Sequence, residues 1–149
     1  MTPEEISDRL EIEQVMVKYV WALDAKEFDA LRDVFTADAQ VDYTESGGIA
    51  GPATEFIPWV AKMLSAFPMT QHLLMNVDIT LDGDRATARS ACYNPMGAAT
   101  REGPLHHFFI GIEYHDEIVR TADGWRIARR VEKQRWFDGK LPKELVFPD

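Results

Sequence analysis

Cysteine is almost absent. Cys92 is the single one in 149 residues, which excludes an internal disulfide and any cysteine-rich metal site. Positive charge is scarce too: 16 Lys+Arg stand against 25 Asp+Glu, for a net charge of −9. A nucleic-acid binder needs a concentrated basic face, and an anionic membrane surface draws polybasic segments, so neither partner fits. No stretch approaches the ~20 apolar residues of a membrane span. The opening Met1-Thr2-Pro3-Glu4-Glu5 is acidic where a secretory signal carries a basic region. There is no His-Glu-x-x-His pair, no Gly-rich nucleotide loop and no Gly-x-Ser-x-Gly elbow. Repeats, low-complexity tracts and Pro/Gly/Ser-rich linkers are missing as well. These absences predict a cytoplasmic protein with a small-molecule substrate, no metal and no cofactor.

What remains is globular. Hydrophobic residues make up 46% and aromatics 11% of a chain one domain long. Thr2, Pro3 and Glu5 compose a helix start with a capping box. Ile6, Leu10, Val17, Val20 and Asp24 follow near one stripe, flanked by Met16 and Leu23. A shorter helix is expected around 27–35 and a strand over 39–44, with Ala39, Val41 and Tyr43 on one face. Gly47-Gly48 and Gly51-Pro52 mark a loop, and a third helix is expected over 55–67 with Pro58 in its first turn. From residue 70 the pattern has period two. A strand over 70–81 turns at Asp82-Gly83 into one over 85–94; strands over 105–119 and 125–137 meet at Asp123-Gly124. Helices followed by long antiparallel strands predict an α+β fold.

Several strings carry a resemblance: Tyr19-Val-Trp-Ala-Leu-Asp24-Ala-Lys-Glu-Phe28, Leu31-Arg-Asp-Val-Phe35, Ala39-Gln-Val-Asp-Tyr43 and Asp123-Gly-Trp-Arg-Ile127. Over nearly the whole chain the sequence resembles the SnoaL-like branch of the nuclear-transport-factor-2-like superfamily. The resemblance implies a cone-shaped α+β barrel, three N-terminal helices packed on a strongly curved antiparallel or mixed sheet. It assigns residues 1–137 to one domain and leaves 138–149 as a tail that lids a pocket or meets another subunit.

Asp24 is conspicuous without any resemblance, because it sits on an apolar stripe at a helix C-terminus, where the macrodipole disfavours negative charge. A solvated carboxylate at a frayed end would read the same way. His72, in Thr70-Gln71-His72, heads a strand, where a histidine alone is more often a core residue; its face is expected to continue through Leu74, Asn76 and Asp78. In scytalone dehydratase, hexachlorocyclohexane dehydrochlorinase and bile-acid dehydratase, an aspartate ending the first helix orients a histidine on this strand. The resemblance therefore implies a base, His72, charged and oriented by Asp24. It also implies Tyr43 as a hydrogen-bond donor to a developing oxyanion, with Tyr19 as a second hydroxyl. Asn94 and Arg130 are expected to bind substrate, although a strand bulge would bring Arg129 inward instead. Trp21, Phe56, Trp59, Met63, Phe109 and Trp136 are expected to supply the apolar lining. The sequence departs from scytalone dehydratase in having Leu23 before the aspartate and no second histidine near 94–96.

The implied activity is that of a cofactor-independent lyase, with water as the leaving group. The same base would equally serve an isomerase or a polyketide cyclase, and a non-catalytic ligand-binding or oligomerisation module would need none of it. Ketosteroid isomerase has its aspartate base where Tyr43 stands, and Asp42 belongs to the opposite strand face. His107 and His115 share a face, but eight residues at ~3.3 Å rise set them roughly 26 Å apart, too far for one metal. Cys92 reads as a small hydrophobe. Apolar residues on the outer sheet face predict a homo-oligomer, dimer or trimer.

Overall fold

The computed structural model describes Met1–Asp149. Helix α1 runs from Pro3 to Asp24, started by the capping box: Glu5 N–H donates to Thr2 Oγ1 at 3.1 Å and Thr2 N–H donates to the Glu5 carboxylate at 2.7 Å. Its buried stripe is Ile12, Met16, Tyr19, Val20 and Leu23. Ile6 and Leu10, expected on that stripe, are exposed. In those first turns the inward residue is Asp8, which accepts from Trp125 Nε1 at 3.1 Å and from Arg120 at 2.7 Å. The expected second helix is a 3-10 segment, Phe28–Asp33.

Strand β1 (Phe35–Asp42) starts earlier than expected and ends just before Tyr43. A 3-10 turn (Thr44–Ser46) and β2 (Ala50–Pro52) lead into α2 (Ala53–Ser65). Because α2 begins two residues early, Pro58 lies in its second turn and withholds the bond that residue 58 would donate to the Thr54 carbonyl. Next come β3 (Met69–Thr70), β4 (Leu73–Asp82), β5 (Arg85–Ala98), β6 (His106–Thr121) and β7 (Gly124–Asp138). The sheet order is β2-β1-β7-β6-β5-β3, with β4 also on β5; only the β1–β7 pair is parallel. Three helical segments pack on this strongly curled mixed sheet, a half-barrel with the cone shape expected of the α+β class. No helix is long and apolar enough to cross a membrane.

Irregularities in the strands decide which side chains face inward. The strand expected over 70–81 is broken at Gln71–His72, between β3 and β4. A bulge at Asn76 (φ 51°) then shifts the alternation, so Leu74, Val77, Ile79 and Leu81 turn toward the core while Asn76 and Asp78 are exposed. In β7 an extra residue at Ala128 separates the inward pair Trp125/Ile127 from Arg130, Glu132 and Gln134. A second extra residue, Arg135, turns Phe137 inward and Trp136 outward.

Candidate active site

The concave side of the sheet, α1 and α2 enclose an apolar cavity of about 710 Å³. At one end stands His72, its side chain 5% exposed. Its ring Nδ1 lies 2.6 Å from Asp24 Oδ1, and its backbone N–H donates to Asp24 Oδ2 at 2.8 Å. The strand break explains this second bond, because at residue 72 the amide turns to a carboxylate instead of a ladder partner. Thr70 Oγ1 donates to Asp24 Oδ1 at 3.0 Å, and Lys26 Nζ donates to Thr70 Oγ1 at 3.0 Å. Burial raises the Asp24 pKa, but the hydrogen bonds from the His72 ring, the His72 amide and Thr70, with the ring's charge, outweigh it and hold the carboxyl below its ordinary value. With Nδ1 committed to an ionised carboxylate, Nε2 carries the lone pair. It faces Asn94, whose Nδ2 lies 3.1 Å away. Asn94 Oδ1 is buried and unpartnered.

Lys26 occupies the left-handed position that ends α1 (φ 61°). Lys26 N–H bonds the Leu23 carbonyl and Glu27 N–H the Ala22 carbonyl, a Schellman closure usually built on glycine. The chain thus turns sharply after Asp24, and the lysine side chain returns to Thr70.

Another stretch of the cavity wall has different chemistry. Tyr19 and Tyr43 share a hydrogen bond of 2.5 Å between hydroxyls, and burial pushes both phenols above their ordinary range, so both stay neutral donors. Tyr43 stacks on Phe56 at 4.4 Å. Gly48 folds against Tyr43 so closely that a Cβ there would meet its Cβ at 2.8 Å. Behind the tyrosines, Arg130 is fully buried, bonded to both Asp116 oxygens at 2.7 Å and set 4.2 Å from the rings of Tyr19 and Tyr114. Beside it Glu132 lines the cavity and accepts a bond from the Ser46 hydroxyl.

The SnoaL-like domain family matches residues 4–131. The chain belongs to this family. A Mycobacterium tuberculosis protein described as uncharacterized is 48% identical over 129 residues, 86% of either chain. Among solved structures, a Novosphingobium aromaticivorans protein provisionally described as scytalone dehydratase superposes with a TM-score of 0.82 at 20% identity, over 99% of this chain and 97% of that one. Hexachlorocyclohexane dehydrochlorinase from Novosphingobium barchaimii does so at 0.77 and 15% identity, over 97% of each. At these identities the two structures speak for the fold.

Within this SnoaL-like domain, His72, Tyr43, Tyr19, Asn94, Trp59 and Met63 all line the one cavity, with Asp24 behind His72. Other expected lining residues do not reach it. Trp21 is 68% exposed on the outer side of α1. Phe109 and Trp136 pack against Tyr93 on the outer sheet face, at 6.2 and 5.8 Å, because strand parity puts Phe109 opposite Phe108 and the Arg135 bulge turns Trp136 outward. Trp136 lies across Gly111, where a Cβ would sit 2.1 Å from its Nε1. Phe56 supports Tyr43 from behind, and Arg130 supports Tyr19 without lining the cavity. The bulge expected to bring Arg129 inward does the reverse; Arg129 is exposed and bonds Glu117. Asp42 faces away and caps Thr44. His115 pairs with Glu113 at 3.0 Å, and no three metal-ligating side chains come together. Leu141, Pro142 and Leu145 of the tail line the cavity, tied down by the His106 ring at the Lys140 carbonyl. Glu132, Ser46, Gln134, Thr70 and Lys26 are site residues that sequence reasoning missed. For Lys26 a signal existed: a sharp chain reversal with no glycine directly after the helix.

Proposed function

We propose that the chain is a dehydratase-like lyase. Its base, His72, removes a proton from carbon of a small, largely apolar or polycyclic hydroxy-carbonyl substrate, and water leaves. The observation that carries this reading is the 2.6 Å contact between His72 Nδ1 and a carboxylate held ionised, with Nε2 beside Asn94 on the wall of a largely apolar cavity. Nε2 takes the proton and, as the imidazolium, gives it to the departing hydroxyl, which leaves as water; Asp24 fixes the tautomer and stabilises the imidazolium while it lasts. The unpartnered Asn94 Oδ1 stands ready to accept from the new Nε2–H once the amide rotates. Electron density moved onto the substrate carbonyl is met by the Tyr43 hydroxyl, which Tyr19 backs with its own. The cavity lies in the size range of small-molecule sites, roughly 300–1,000 Å³. Related folds described as dehydratase and dehydrochlorinase favour elimination over other fates of the carbanion, as fold-level analogy.

The test is a panel of ring-fused β-hydroxy ketones, followed by enone absorbance for loss of water and by NMR in deuterium oxide for exchange at the α-carbon. The wild type is expected to catalyse both for at least one compound, and His72→Ala to lower both about 10²–10⁴-fold. A His72→Ala protein with undiminished rates, or a wild type that exchanges no α-proton across the panel, overturns the reading.

A further inference from the structure

Glu132 has no part in that proton transfer, yet it is a carboxyl on the cavity wall, 7% exposed, without a cation to itself. The nearest guanidinium, Arg130, gives Nε and Nη2 to Asp116. One Glu132 oxygen accepts from the Ser46 hydroxyl, and the other takes no bond from the protein. Burial pushes the carboxyl up to about 7; Ser46 and Arg130 oppose the shift and Glu45 adds to it. Protonated on the oxygen that Ser46 does not hold, the group presents an O–H to the cavity. A ligand oxygen would satisfy it.

The sheet register separates this group from the base. Asn94, the neighbour of His72, lies on β5, whereas Glu132 lies on β7. At ~4.8 Å per strand the two stand about 10 Å apart across the sheet. They are also offset along it: Glu132 pairs with Tyr114, which pairs with Ser90, four residues along β5 from Asn94. The backbone register thus sets the two groups at different places on the cavity wall, where they can grip opposite ends of a fused-ring skeleton.

Building on the dehydratase-like reading, we infer that Glu132 is a specificity residue. It donates a hydrogen bond to a carbonyl oxygen at the end of the substrate remote from His72. The substrate class becomes a polycyclic compound with oxygen at both ends. The groups facing Glu132 are Arg130 on its own strand, Glu45 and Ser46 from the 3-10 turn, Tyr43 after β1, Tyr19 from α1, Tyr114 from β6 and Cys92 from β5. Burial holds the three phenols and the thiol above their ordinary range, so none of them ionises near neutrality.

The test compares binding of 1-decalone with that of decalin-1,6-dione by calorimetry. Both carry the ketone meant for the His72 end, so the affinity ratio cancels effects at that end. The dione is expected to bind about tenfold tighter at about pH 6 and no better than the monoketone at about pH 9, where the carboxylate only accepts. Glu132→Gln keeps an N–H donor that does not titrate, so its preference should persist at both pH values. Glu132→Leu should bind the two alike. Equal affinities at the lower pH, no saturable binding of the dione, or a preference unchanged at the higher pH in the wild type each overturn the inference. His72→Ala should retain the preference; a failed dehydratase reading would show instead as a wild type that exchanges no α-proton, with pH-dependent binding intact.

Discussion

Asp24 and Glu132 are carboxyls of one cavity, and the fold drives them in opposite directions. Asp24 receives the Thr70 hydroxyl, the His72 amide and the His72 ring, and its proton affinity falls although burial opposes the change. Glu132 receives one hydroxyl, its nearest guanidinium serves Asp116, and burial wins. Depth alone therefore does not decide charge in this pocket; the number of donors does. One end is built to hold a negative charge beside an imidazole. The other keeps a carboxyl near neutral among phenols, which suits recognition of an uncharged oxygen.

The contrast breaks most severely at its charged end. Asp24→Asn preserves shape but removes the charge, and an amide that donates to Nδ1 selects the tautomer whose Nε2 already carries hydrogen. The expected loss in kcat/KM is about 10³-fold or more, as for other carboxylate-oriented histidines. Binding of 1-decalone should change little, and steady-state kinetics beside calorimetry separates the two effects. Near-normal turnover by this variant would remove Asp24 from the mechanism.

At the neutral end the largest effect is on stability. Below about pH 4.5 the Glu132 carboxyl is protonated in folded and unfolded chains alike. Between 4.5 and about 7 the unfolded chain has lost a proton that the native protein keeps, so stability falls as pH rises, and above about 7 it levels off. The raised carboxyl thus costs up to about 3 kcal/mol on the alkaline side. Glu132→Gln should abolish that part of the decline, measured as denaturation midpoints from about pH 4 to pH 8. Parallel pH profiles for wild type and variant would show that the carboxyl is not held neutral by the fold.

The two ends also differed in how much of them the sequence revealed. Asp24 broke an apolar stripe at a helix terminus and His72 headed a strand, so residue pattern and family resemblance met on the same pair. The capping box at Thr2 and the hairpins at Asp82-Gly83 and Asp123-Gly124 were equally legible, because their signals are local. Glu132 lies in Ala128-Arg-Arg-Val-Glu-Lys-Gln-Arg135, where charged residues fall on both parities and alternation marks no inner face. The bulges at Asn76, Ala128 and Arg135 arise from pairing with neighbouring strands, and each moved every later side chain to the other face. That is why Trp136 was misplaced and Arg130 displaced Arg129 from the interior. Aromatic type gave no help with Trp21 or Phe109, since outer-face and inner-face aromatics look alike in a sequence.

The smallest expected effect tests how the charged end is held. Lys26 keeps a left-handed backbone that glycine would adopt freely, at a cost of about 1 kcal/mol for a residue with a Cβ. Its ammonium returns to Thr70, which in turn bonds Asp24. Burial lowers the Lys26 pKa, with Asp24 opposing. Lys26→Gly should therefore raise the denaturation midpoint by an amount worth roughly 1 kcal/mol while lowering α-proton exchange several-fold. Lys26→Met separates the two causes, because it keeps the strained backbone and loses the ammonium: exchange should fall as in the glycine variant with no gain in stability. If Lys26→Met exchanges protons at the wild-type rate, the lysine has no share in positioning Asp24, and Thr70 and the His72 amide alone hold the carboxylate in place.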